Sequence, residues 1–217
     1  SLSRRHVLAG LTAASLAPAW AQSSALLPDS DGDQTLALQQ AIDAARPTGR
    51  LSLPPGSFRI SGLALPSNLL IEGVSGATTL IANGSAIASV AAQKHLTLRN
   101  IGFAGNSGSD PLLDIADSEN ITVDECSFSD SPELAIHVQR SSGAITQSRF
   151  SGHGDAAIHG HDNHDFQISG NSVTRCGNAG IRVWRSEKGP DGTIVTENRV
   201  TDIAWRDGGT GQNGNGI

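Results

Sequence analysis

Across the second half of the chain, apolar and polar residues alternate in short runs that keep returning in the same order. Leu96, Leu98, Ile101 and Phe103 are echoed by Ile121, Val123, Cys126 and Phe128, then by Gly143, Ile145, Ser148 and Phe150. Phe166, Ile168, Asn171 and Val173 follow, and then Thr193, Val195, Asn198 and Val200. The last members of these sets stand 25, 22, 23 and 27 residues apart by subtraction of their positions. Between the sets lies a second apolar run: Leu113-Asp114-Ile115, Ile136-His137-Val138, Ile158-His159-Gly160 and Ile181-Arg182-Val183, spaced 23, 22 and 23 residues apart. Period-two alternation marks strands buried on one face only. A repeat of about 23 residues with several strands is too short for a propeller blade and lacks the Leu/Asn consensus of leucine-rich repeats. Winding each repeat once around a central core buries every apolar position, with equivalent strands stacked about 4.8 Å apart. The fold class expected is therefore all-β: a right-handed parallel β-helix with coils of about 23 residues.

The period changes near the N-terminus. Leu38, Ala41, Ile42 and Ala45 fall at i, i+3, i+4 and i+7, which predicts an amphipathic helix over Thr35 to Arg46, capped by Asp33 and stopped by Pro47. Two short strands follow, on either side of a Pro54-Pro55-Gly56 turn. Asp31-Gly32-Asp33, the helix, and Leu53-Pro54-Pro55-Gly56 together resemble the start of many pectate-lyase-like β-helix proteins. That resemblance implies an N-terminal capping α-helix that plugs the open end of the coil. The cap is expected over residues 29–60, with coils from about 61. Further along, Asn171 and Asn198 occupy equivalent turn positions, where stacked amides can bond along the axis; Ile101, Cys126 and Ser148 share that column.

Composition agrees with a turn-rich solenoid: 25 glycines, no Tyr, no Met and 4% aromatic residues. A net charge of −6, with no Lys/Arg-rich run after the first ten residues, argues against a nucleic-acid partner. The first 21 residues carry a different message. Arg4-Arg5, the apolar stretch Val7 to Leu16 and Ala19-Trp20-Ala21 form a basic region, a hydrophobic region and a cleavage site. Ser3-Arg4-Arg5-His6-Val7-Leu8 resembles a twin-arginine export signal. The reading is a signal peptide over 1–21, a mature β-helix domain over 22–217, periplasmic or secreted in a bacterium, and no permanent membrane anchor, the apolar stretch being too short to span a bilayer. Gly216-Ile217 matches the start of another coil at Gly180-Ile181, so the expectation is a chain truncated at its C-terminal end. The two cysteines, Cys126 and Cys176, fall in different columns two coils apart, too far for a disulfide, and are expected as free thiols.

Stacking the repeats makes neighbours of distant residues. Asp114, His137, His159 and Arg182 form one outward column; Ala116, Gln139, His161 and Trp184 form the next; Asp117, Arg140, Asp162 and Arg185 alternate in sign in a third, where mutual neutralisation is sufficient explanation. In the first column the Arg182 cation disfavours imidazolium at His159, which should be neutral near pH 7. A neutral His beside an Arg suits removal of the C5 proton of a uronic acid. The candidate catalytic residues are therefore His159, His137, Arg182 and Asp114. The candidate substrate-binding residues are Trp184, Gln139, His161 and Arg185, with Trp184 as a sugar platform. A solvated polar face accounts for the same columns without chemistry.

His153, Asp155, His159, His161, Asp162, His164 and Asp165 also cluster in sequence, and His159 and His161 at i and i+2 face one way. The spacing is unspecific, and no metal and no cofactor are expected. Gly152-His153-Gly154 and Gly180-Ile181-Arg182-Val183 resemble fragments of the polygalacturonase pattern, but that family's upstream aspartate motifs have no counterpart, and the assignment is rejected. The combination of Arg4-Arg5 with the repeats from Leu96 to Val200 resembles the twin-arginine-translocated β-helix repeat family, within the pectate-lyase-like superfamily. That family carries no catalytic residues over; its broader relatives imply polysaccharide chemistry. The expectation is a protein that acts on or binds an acidic polysaccharide, as a lyase or C5-epimerase, with a noncatalytic glycan- or protein-binding scaffold as the alternative.

Overall fold

The computed structural model describes residues 26–105, 108–203 and 216–217. The signal peptide expected over residues 1–21 and the Asp207 to Gly214 loop lie outside them.

Among the described residues, one helix, Thr35–Ala45, precedes 20 strands that all pair in parallel across three sheets. Sheet 1 stacks Arg50–Ser52, Leu69–Glu72, Lys94–Arg99, Glu119–Asp124, Gly143–Thr146, Phe166–Ser169 and Ile194–Thr196. Sheet 2 stacks Gly56–Ile60, Thr78–Ala82, Gly102–Ala104, Ser127–Ser129, Arg149–Ser151, Ser172–Thr174 and Arg199–Thr201. Sheet 3 stacks Leu63–Ala64, Ala88–Ala91, Leu113–Ala116, Ile136–Gln139, Ala156–His161 and Ala179–Trp184. Each coil visits the three sheets in turn, so the chain is an all-β parallel β-helix. The stack already starts at Arg50, whose strand pairs with Leu69–Glu72, so the coil begins inside the stretch assigned from sequence to the cap.

Alternation builds the core. Inward positions such as Leu96, Ile121, Ile136 and Ile158 are fully buried, while the residues between them reach the surface. Phe103, Phe128 and Phe150 stack with near-parallel rings in sheet 2, ring centroids 4.7 and 4.9 Å apart, contacts that add to the apolar area they remove from water. The helix buries Leu38, Ile42 and Ala45 against the first coil. Its N-cap residue is Gln34, not Asp33. The Asp33 carboxylate instead accepts from the backbone N–H of Thr35, the hydroxyl of Ser61 and the amide of Asn83, which hold it well below the usual carboxylate range.

The turns between sheets 1 and 2 carry the anticipated polar stack. Asn171 accepts from the backbone N–H of Ser148 at 2.9 Å and donates to the carbonyl of Ile145 at 2.9 Å and the side chain of Asn198 at 3.0 Å. The Ser148 hydroxyl accepts from the N–H of Cys126. A second stack, unanticipated, follows sheet 3: each backbone N–H of Ser67, Gln93, Ser118 and Ser141 donates to the side chain one coil further on, ending at Asn163. Gly160, at an inward position, leaves room for that asparagine; a Cβ there would lie 3.0 Å from the Asn163 side-chain nitrogen. Cys126 and Cys176 are free and buried, and burial pushes their thiols up to about 12 and about 11.

Candidate functional site

The outer face of sheet 3 carries the candidate residues, because its strand register delivers the expected columns. Asp114, His137, His159 and Arg182 are successive partners across four strands, and Ala116, Gln139, His161 and Trp184 are the partners two positions on. The first half of the same sheet places only Ala64, Ser89 and Ala91 in these columns.

Within the first column, Asp114 Oδ1 and His137 Nδ1 are hydrogen-bonded at 2.8 Å. This contact fixes the imidazole with its other nitrogen turned away from the carboxylate, and both side chains remain partly exposed. The His159 ring lies 5.6 Å from that of His137. Its pKa is pushed down to about 4, chiefly by burial and then by the Arg182 cation, so it is neutral at pH 7. The sequence attributed the neutrality to Arg182; desolvation is the larger cause.

Arg182 is not a free cation. Both of its terminal nitrogens bond to the carboxylate of Asp155, and the two side chains are only 13% and 19% exposed. Asp155 also accepts from Asn178 at 2.9 Å. Sequence reasoning counted Asp155 in a histidine/aspartate cluster and missed this role. The signal was weak, because Asp155 reaches Arg182 from the loop before the strand Ala156–His161 and not from a repeat column. Among the described residues no group of three His, Cys, Asp or Glu side chains could hold a metal ion.

The second column ends in an exposed aromatic. Trp184 is 52% exposed, whereas every phenylalanine of the protein is buried. Its indole lies edge-on to His159 with centroids 5.0 Å apart, and the Arg182 guanidinium sits 5.4 Å from its centre. His161 is 3.4 Å from Gln139 and 3.2 Å from the Ser186 hydroxyl, a loose chain of polar contacts beside the tryptophan. The third column neutralises itself only in part. Arg140 makes two bonds to Asp117, at 2.5 and 2.7 Å, but Asp162 is held by Ser186 and Arg185 turns to Asp191 at 3.5 Å. Arg185 thus lies in the exposed turn beyond Trp184, away from the first column's histidines in register.

Comparison with known proteins places this geometry in context. A family model for right-handed β-helix regions matches residues 68–217. The polygalacturonase of Erwinia carotovora ssp. carotovora is similar in structure, with a TM-score of 0.68 at 14% identity over 79% of this chain and 61% of that one. The surface protein and adhesin PfbA of Streptococcus pneumoniae has a TM-score of 0.68 at 16% identity, over 82% of this chain and 60% of its own. A provisionally named glycosyl hydrolase from Parabacteroides merdae has a TM-score of 0.67 at 15% identity, over 79% of this chain and 92% of its own. This chain therefore spans less than two thirds of the polygalacturonase and of the adhesin. At such identities the likeness is one of fold. No curated protein sequence matches the chain.

Proposed function

The chain belongs to the right-handed β-helix family, and from that premise we propose that it recognises a polysaccharide along the outer face of sheet 3. Structural neighbours named as a polygalacturonase and as an adhesin share the coil, so the fold alone does not choose between catalysis and binding. The observation that carries the reading is local: a half-exposed Trp184 stands at the end of a polar column of Gln139 and His161, beside the hydrogen-bonded Asp114–His137 pair. An exposed indole surrounded by polar groups is the usual recipe for a sugar-ring platform, since it offers an apolar face that water serves poorly. If residues 1–21 act as the export signal their sequence resembles, this face meets its glycan in the periplasm or outside the cell.

A second reading, catalysis as a lyase or C5-epimerase on an acidic polysaccharide, draws on the Asp114–His137 bond. His137 would accept the C5 proton through its free nitrogen while Asp114 stabilises the imidazolium. The electron pair left behind would either expel the O4 leaving group, giving an unsaturated sugar, or be reprotonated from the opposite face. That chemistry needs a cation on the substrate carboxylate, and the arginine expected in that role is held by Asp155.

The test is a panel of neutral and uronic-acid polysaccharides presented to the protein and to its Trp184→Ala and His137→Ala variants. Retention on at least one polysaccharide, lost at least tenfold in Trp184→Ala, is expected. Ultraviolet absorbance of unsaturated product and C5 hydrogen exchange report the second reading, and both should vanish in His137→Ala. Retention untouched by Trp184→Ala would move recognition off this face.

A further inference from the structure

Buried polar atoms without partners are rare in folded proteins, and several in one place call for an explanation, of which a bound ligand is one. Among the described residues such atoms occur on His153, His159, Asn178, Arg182 and Thr193. Three of them lie on linked residues: Arg182 Nε and Asn178 Oδ1 belong to the two side chains that bond the Asp155 carboxylate, and His159 Nε2 to the residue beside Arg182 on the next strand. Asn178 is only 5% exposed. Its amide orientation is set by chemistry, because the Asp155 carboxylate accepts only and must face the Nδ2–H, which leaves Oδ1 as the orphan.

We propose that these three atoms form a hydroxyl-reading subsite beneath Trp184 and that the glycan is a neutral one. This rests on the reading of sheet 3 as a glycan-recognising face. The orphan atoms are a donor, Arg182 Nε–H, an acceptor, Asn178 Oδ1, and an uncharged imidazole nitrogen that serves as either. A sugar hydroxyl both donates and accepts, so adjacent hydroxyls of one ring complement all three. A carboxylate only accepts. It would leave Asn178 Oδ1 unpaired and face the negative charge of Asp155. The surroundings argue the same way, since Arg182, Arg185 and Arg140 are paired with Asp155, Asp191 and Asp117, while Asp114 and Asp162 add negative charge held by His137 and Ser186. No solvent touches the three atoms, and the Trp184 indole lies against two of the residues that carry them. Trp184 is thus both platform and cover: a sugar that moves the indole aside gains the atoms below it.

The probes are calorimetric titrations of the whole chain with neutral oligosaccharides (gluco-, xylo- and manno-configured) and with oligogalacturonate and oligomannuronate of equal length. A neutral oligosaccharide should bind at least tenfold more tightly than either uronate. Arg182→Lys, which keeps the charge beside Asp155 and removes the Nε–H, should weaken that binding about tenfold. The variant's melting curve, and a crystal structure of the wild-type complex showing ring hydroxyls against Asn178 and His159, guard against a loss due to misfolding. Tighter binding of a uronate would overturn the inference and leave the glycan face standing. Neutral binding unchanged in Arg182→Lys would overturn the subsite. Failure of both oligosaccharide classes to bind would sink the functional reading itself, and this inference with it.

Discussion

Among the groups of buried polar side chains along the coil, two asparagines make a direct comparison: one has its hydrogen bonds complete and the other does not. In the turn between sheets 1 and 2, Asn171 spends its oxygen on the Ser148 N–H and its amide hydrogens on Ile145 and Asn198. At the edge of sheet 3, Asn178 is almost as buried, but its side chain has one bond, to Asp155, and an idle oxygen. The first arrangement serves the fold, because every polar group taken from water is paired within the stack. The second holds polar groups that the fold itself leaves unpaired, next to the exposed indole of Trp184. On the proposed reading, the contrast separates polar groups that serve stability from polar groups that serve recognition.

The contrast is breakable by substituting the same residue type in each place. Asn171→Ala should cost about 3 kcal/mol in urea unfolding, because it strands the buried Ser148 N–H and removes the side-chain bonds to the Ile145 carbonyl and to Asn198. Asn178→Leu should cost about 1 kcal/mol, since it removes one bond and also removes the idle oxygen. Equal costs would mean that both groups are structural.

A smaller effect concerns pH. Burial holds His159 and His153 down to about 4 in the folded chain, against an ordinary value of 6.5. The unfolded chain therefore binds more protons between those limits, so this contribution is present above about pH 6.5 and is lost as pH falls toward 4. Urea midpoints should decline across that window, and His159→Gln should make the decline shallower. An unchanged slope would mean that His159 titrates alike in both states.

Much of this was legible in the sequence, because a solenoid writes its register into the spacing of buried residues. The alternation from Leu96 to Val200 fixed which residues stack, and with it the Asp114–His137–His159–Arg182 column. What escaped lies in the turns. Polar residues at Ser67, Gln93, Ser118, Ser141 and Asn163 recur one per coil as regularly as the phenylalanines, yet without apolar alternation they read as loop. Asp155 escaped for a different reason. Its pairing with Arg182 depends on the path of the loop before Ala156, and loop paths leave no period in a sequence.

The central claim, that the outer face of sheet 3 meets a glycan, is tested most directly by locating a bound oligosaccharide. A crystal structure of the chain with the tightest-binding oligosaccharide should place a sugar ring against Trp184, with its neighbours running across Gln139 and His161 toward Asp114 and His137. A sugar seated on the outer face of sheet 1 or sheet 2, with Trp184 still packed on His159 and free of contact, would contradict it.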